Sequence, residues 1–373
     1  VRILYIGHYK EGSGWSKAAI DLMLAMDSVG IDVTCRNIKL TSKSAEIPNR
    51  ILELEKKPLN NIDICIQHVL PHHIVGTSKF KKNIACYIGE SNTLKYNNWL
   101  SSLKLVDEVW LPNKTLISSF TKDGFDNSCL KYVPYAFDLS RYKNKTSTRI
   151  NFGEKNSTFK FYYIADLNER KNIESIIKCF HSEFHRYEPA SLVLKVKKFG
   201  IHPPELNKHV KDICDSIKKT LRIYPKVEDY HEEIIIPKDM TAEEIDALHN
   251  SCDCLVNTTH GEGWSIPAFD AMCFGKTPIC GNEGGPKEFI KDKSSGTLIS
   301  GVSGVCEHSD PAFNNIFTGR ESWFVPDEEE VKSAMRYYYD NKDLIDRTRG
   351  LKDAEEFSYE NVGNLMRGLL DVQ

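Results

Sequence analysis

Two acids, Glu262 and Asp270, are the residues whose spacing is most suggestive of chemistry. Seven residues separate them in the stretch His260-Gly261-Glu262-Gly263-Trp264-Ser265-Ile266-Pro267-Ala268-Phe269-Asp270. Pro267 suits a first helical turn, where its missing N–H costs nothing. Glu262 is therefore expected in the loop before a helix, and Asp270 in about the first turn. The N–H groups around Gly263, Trp264 and Ser265 would form the positive end of that helix, which suits a phosphate. Carboxylates flanking such an end can accept hydrogen bonds from sugar or ribose hydroxyls. The plainer alternative is that Asp270 complements the helix dipole and Glu262 is solvated. Arg170 and Lys171 stand at another expected helix start, where cations oppose the dipole; an anionic ligand explains them better than a solvated helix end. Gly12-Ser13-Gly14-Trp15 is a small-residue loop that lets a ligand approach the backbone closely, or else a plain tight turn.

These residues share one kind of place in the chain. Short β-branched runs alternate with amphipathic stretches, which predicts parallel sheets covered by helices on both faces, an α/β fold. Strands are expected at 1–6, 31–35, 63–67, 83–88, 108–111 and 130–133, and again at 159–164, 191–196, 233–236, 254–257 and 277–280. Helices are expected near 15–29, 173–184, 204–221, 266–274, 327–341 and 359–370. Thr241-Ala242-Glu243-Glu244 has capping-box spacing and opens a further helix to about Ser251. In open α/β sheets ligands bind beyond the carboxyl ends of the strands. That places the loops 7–15, 88–92, 165–171, 257–267 and 281–288 at candidate sites. A polar stretch from Ser140 to Thr148 interrupts the rhythm and reads as an exposed linker. With 373 residues, two domains are the natural count: residues 1–145 and 155–345, followed by helices in 346–373.

The stretch from Gly261 to Pro278, with Gly281-Asn282-Glu283-Gly284-Gly285-Pro286-Lys287-Glu288-Phe289, resembles the donor-site signature of retaining GT-B glycosyltransferases of the GT4 kind, the glycosyl transferases of group 1. Val106 to Asn113, Tyr132 to Asp138 and Trp323 to Asp327 are similar to other segments of that family. The resemblance implies two Rossmann-like domains facing a cleft, an N-terminal acceptor domain and a C-terminal nucleotide-sugar domain, with the last helix crossing back to the first. It implies that Glu262 contacts the transferred sugar and Asp270 the nucleotide ribose, and that Gly284 and Gly285 lie near the sugar and diphosphate. The family usually has Glu at the position of Asp270. Lys171 matches its diphosphate lysine; its arginine falls at Asp166, and adjacent Arg170 would supply the second cation, since the leaving diphosphate gains charge. Gly12, Gly14 and Trp15 would face the donor phosphates and acceptor, and His260 would line the donor pocket. Many relatives have His near Glu90; Tyr87-Ile88-Gly89-Glu90-Ser91 resembles a subset with an acid there, and implies that Glu90 accepts the acceptor proton or binds its sugar.

The expected reaction is retaining transfer of a hexosyl unit, mannose or glucose type, from GDP- or UDP-hexose to a hydroxyl of a glycan, lipid-linked glycan or other glycoconjugate. No nucleophile for a double displacement stands out, and the family is described as using front-face attack. The resemblance implies no cofactor beyond the nucleotide sugar and no metal. Two alternatives remain open: a nucleotide-sugar epimerase on the same fold, and a catalytically weak sugar-nucleotide or glycan-binding protein.

Lys+Arg 49 against Asp+Glu 52 gives a net charge of −3, which speaks against a nucleic-acid partner. No run approaches the ~20 apolar residues of a membrane span, and no strongly basic amphipathic helix is evident. Peripheral membrane contact stays open. The 11 cysteines are odd in number and scattered through apolar segments, which predicts buried thiols in a reducing, cytoplasmic compartment. His68, His72 and His73 lack a metal-site spacing and are expected in a surface or acceptor-facing loop.

Overall fold

The computed structural model describes residues 1–40, 42, 44–144, 148–309 and 316–371. The chain forms two compact units. One comprises Val1–Arg141, Asn315–Glu321 and Ala354–Gln373; the other comprises Tyr142–Asn314 and Ser322–Asp353.

The first unit is built on strands β1 (Arg2–Gly7), β2 (Asp32–Asn37), β3 (Ile64–His68), β4 (Lys82–Cys86), β5 (Glu108–Leu111) and β6 (Leu130–Tyr132). All pair in parallel, in the order β2-β1-β3-β4-β5-β6. The helix Gly14–Ser28 follows β1 and is capped by the Ser13 side chain, which accepts from the Ser16 N–H. Its buried residues, among them Ala19, Met23 and Met26, enter one core with Ile3, Tyr5, Val33 and Ile66. The last helix, Tyr359–Leu369, packs on that first helix. Gly363 lacks the side chain that would strike the Ala25 carbonyl oxygen at 2.4 Å, and Tyr359 donates to Asp21 at 2.6 Å.

The second unit repeats the logic with β7 (Phe159–Asp166), β8 (Ala190–Lys197), β9 (Ile234–Ile236), β10 (Cys254–Asn257), β11 (Ile279–Gly281) and β12 (Thr297–Ile299). The order is β12-β11-β10-β7-β8-β9, again parallel. Phe161, Tyr163, Leu192, Leu194 and Val196 point to one face and share a core with Ile176, Ile177 and Phe180 of the helix Ile173–Glu183. The expected capping box forms: Thr241 accepts from the Glu244 N–H, and Glu244 accepts from the Thr241 N–H.

Several elements differ from the sequence expectations. The segment Trp323 to Asp327 does lead into the late helix Glu328–Asp340, but a strand there was not anticipated, and Ser322–Pro326 is one arm of an antiparallel hairpin, β13 (Gly301–Val305) and β14 (Ser322–Pro326). Glycines make it: a Cβ on Gly281 or Gly301 would fall within 2.5 Å of the Phe324 ring. The helices Asn49–Lys56 and Lys114–Lys122 were not anticipated, because each buries only two residues, Ile51 and Leu54 or Leu116 and Phe120. In the polar stretch expected to be an exposed linker, Ser140–Lys143 is a short helix and Tyr142 is buried; Lys145, Thr146 and Ser147 lie outside the described residues. The units divide after Arg141 rather than 145, and the segment that returns to the first unit begins at Ala354 rather than 346. The helix Arg349–Asp353 stays with the second unit, where Gly350 lies against the Met272 carbonyl.

All 11 cysteines are free, and all but Cys129 are buried. Among the described residues no helix is long and apolar enough to cross a membrane.

Candidate active site

In the second unit, the loops after β7 and β10 are tied together, and this fixes the side chains they carry. Asn172 takes a left-handed conformation (φ 49°), donates to the Thr258 carbonyl at 3.0 Å and receives the Thr258 hydroxyl on its own carbonyl at 2.9 Å. The Arg170 carbonyl accepts from the Thr259 hydroxyl at 3.0 Å and from the His260 N–H at 2.8 Å. Tyr163, from the β7 core face, donates to the Lys171 carbonyl at 3.1 Å.

The two loops bring Arg170, Lys171 and Glu262 together. Lys171 Nζ lies 2.5 Å from Glu262 Oε1, and Arg170 Nη1 is 4.0 Å from Oε2. Arg170 Nη1 also donates to the Gly261 carbonyl at 2.5 Å. The Glu262 side chain is only 9% exposed. Burial opposes its charge, but Lys171 and then Arg170 together hold its carboxyl below the usual range. It is therefore an ionised, fixed acceptor at neutral pH.

The helix Ile266–Cys273 begins at Ser265, which is left-handed (φ 73°) and supplies no side-chain cap. Its hydroxyl instead accepts from Asn257 Nδ2 at 2.7 Å. Pro267 contributes no N–H, and no side chain caps the start of this helix, the kind of end that can take an anion. Gly284 and Gly285 serve the same loop. The Gly285 N–H donates to the Glu262 carbonyl at 3.1 Å. A Cβ on Gly284 would lie 2.1 Å from that carbonyl oxygen, and one on Gly285 would lie 2.2 Å from the Trp264 Cα. These two glycines are required first for backbone packing around Glu262.

Asp270, Trp264 and His260 each have partners within the second unit. Asp270 is the fifth residue of its helix, which starts at Ile266 as expected, so it stands just past the first turn. It is buried, and its Oδ1 accepts the Tyr142 hydroxyl at 2.5 Å. The Trp264 ring is drawn into an aromatic core with Phe269 and Phe289, at 6.1 and 5.6 Å. His260 stacks on Trp323 with ring centroids 5.4 Å apart and hydrogen-bonds the Phe324 carbonyl at 2.7 Å. Burial and Arg170 lower its pKa, against the pull of that carbonyl. It lines a cavity of about 660 Å³ with Asn168, Glu169, Glu307 and Trp323. The hairpin residue Trp323 was missed as a partner of His260, since nothing local links positions so far apart in sequence.

In the first unit, Gly12, Gly14 and Trp15 surround the start of the helix Gly14–Ser28. Gly12 has φ 66°, a conformational need that accounts for its type. The Trp15 ring lies tilted against His68, with centroids 5.4 Å apart, and donates to its carbonyl at 3.3 Å. Tyr5 and His68 Nδ1 are 2.6 Å apart. His68, expected in a surface or acceptor-facing loop, is instead the buried last residue of β3. Burial, then His8, depresses its pKa to about 3, so it is neutral. Glu90 lies half-buried in the loop after β4. Among the described residues no group of three or more His, Cys, Asp or Glu could hold a metal ion.

Residues 213–303 match the family described as glycosyl transferases group 1, a stretch that includes Glu262, Asp270, Gly284 and Gly285. No curated protein matches the sequence. Among solved structures, HepE of Anabaena in complex with UDP is similar over the whole of both chains, at 12% identity and a TM-score of 0.67. The lipopolysaccharide outer core galactosyltransferase WaaB also covers both chains fully, at 13% identity and a TM-score of 0.63. Sucrose-phosphate synthase from Thermosynechococcus elongatus is 10% identical over 100% of this chain and 98% of its own, with a TM-score of 0.65. The likeness shows the fold, which is GT-B.

Proposed function

We propose that the chain is a glycosyltransferase that moves a hexosyl unit from a nucleoside-diphosphate sugar to a hydroxyl of a glycan or other glycoconjugate, with retention at the anomeric carbon. The observation that carries this reading is the Arg170–Lys171–Glu262 cluster beside an uncapped helix end, at the carboxyl ends of β7 and β10. Lys171 and Arg170 neutralise the leaving diphosphate as its charge develops. The fixed Glu262 carboxylate accepts from hydroxyls of the transferred sugar. Glu90 and the Trp15 loop serve the acceptor. The match at residues 213–303 supports the class. HepE has been solved with UDP and with UDP-glucose, which favours UDP-hexoses first and GDP-hexoses second.

The test is a panel of UDP- and GDP-hexoses, read by thermal shift and donor hydrolysis. One donor should stabilise the chain and be hydrolysed, and Glu262→Ala should cut turnover about 10²-fold or more. Unchanged binding and turnover in that variant would remove Glu262 from the site. The engagement of Asp270 by Tyr142 favours one second reading, a sugar-nucleotide binder of weak turnover; donor binding without transfer to any acceptor would select it.

A further inference from the structure

Among the described residues of the second unit three lysines are buried, and two are satisfied within it. Lys160 Nζ donates to the carbonyls of Asn156 and Thr158 at 3.0 and 2.8 Å. Lys218 pairs with Glu233 at 2.9 Å. Lys195, 5% exposed, differs from both. Its ladder neighbours are Ile164 on β7 and Ile236 on β9. It stands on the sheet face opposite the core that takes Leu194 and Val196. Among the described residues nothing accepts a hydrogen bond from its amino group or pairs with it, yet that group keeps some contact with solvent.

The charges around it do not compensate it. Lys197 lies two residues on, on the same face. Asp166 and Asp239 both turn to Lys197, at 3.6 and 3.7 Å. Burial, then Lys197, lowers the Lys195 pKa, with Asp166 and Asp239 opposing. A buried cation without a partner destabilises the fold. This one sits near the carboxyl end of β8, beside the strand that leads to Arg170 and Lys171, where α/β sheets bind ligands.

We propose that Lys195 is an anion-binding residue, donating to a phosphate oxygen of the nucleoside diphosphate from a different strand than Lys171. That the phosphate belongs to a sugar nucleotide rests on the function proposed above; the anion site itself does not.

Pyrophosphate, UDP and uridine are titrated against the native chain and Lys195→Met. Pyrophosphate and UDP should bind the variant roughly tenfold or more weakly, with uridine unchanged. The ligand-free variant should melt no lower than the native chain, because an apolar side chain replaces a buried charge. As a measurement on the native chain, pyrophosphate should protect Lys195 from amine acylation, read by mass spectrometry. Undiminished pyrophosphate affinity in the variant, or no protection, overturns the inference and leaves the donor reading standing. If pyrophosphate binds through Lys195 but no nucleotide sugar binds, the inference is upheld and the donor reading falls. If the native chain binds neither, both fall.

Discussion

The two units share a parallel six-stranded topology, yet their strand ends carry opposite chemistry. After β7 and β10, reciprocal hydrogen bonds lock two loops, and the lock holds a carboxylate against two cations. At the ends of β1 and β3, Trp15 packs edge to face or tilted against the buried His8 and His68, with His68 kept neutral by burial. A fixed charged cluster is suited to a diphosphate and a sugar. An indole and one half-buried acid are suited to a hydroxylated, uncharged partner. The same fold thus leaves the choice of ligand to a few loop residues.

The largest effect should come from breaking the charged cluster. Lys171→Met leaves Glu262 buried with only Arg170, 4.0 Å away. Donor turnover should drop about 10²-fold or more, and stability by about 3 kcal/mol, read by kinetics and chemical denaturation. The pH response follows from the sign of the shift. Glu262 has a depressed carboxyl in the folded chain, so its stabilisation is full above the unfolded carboxylate range and fades as pH falls through the folded value. Lys171→Met should move acid unfolding to higher pH; an unmoved acid limb would show that the pair does not stabilise the fold.

Next comes the loop that carries Glu262. Gly284→Ala puts a Cβ onto the Glu262 carbonyl at φ 65°, and should cost at least about 2 kcal/mol and weaken the donor with it. Normal melting with normal donor affinity would mean that the loop is looser than its packing implies.

Tyr142→Phe is a finer probe. It removes the hydroxyl that Asp270 accepts, so melting should reflect a loss of about 1–3 kcal/mol. Donor affinity should rise as the carboxylate is released toward a ribose. Unaltered affinity would take Asp270 out of the donor site. The smallest effect is expected in the first unit. Glu90→Gln should raise the acceptor KM by roughly tenfold or less with donor affinity unchanged, the loss of one hydrogen bond to a charged group. A loss of donor affinity instead would erase the contrast between the two units.

Many of the strands could be anticipated from pattern, because alternating strand and helix periods are local properties. β5 and β10 coincide with the runs read for them, and the Thr241 capping box closes as its spacing implies. Short elements with only two buried residues were invisible, since so few apolar positions set no period. The hairpin β13–β14 escaped for a different reason: its glycines matter only because Phe324 comes to lie against them.

Residue types alone determined which side chains could serve the chemistry: Glu262 with its glycines, Lys171 with Arg170. Those choices reflect charge and backbone freedom, which are written position by position. Tertiary structure alone decided their states. Glu262 is ionised because Lys171, 91 residues away in sequence, pairs with it. Asp270 is engaged because Tyr142, 128 residues away, reaches it. Among the described residues Lys195 has no ion-pair partner, because both nearby acids pair with Lys197. Electrostatic pairing acts over a few ångströms of space, and only the fold brings distant positions that close.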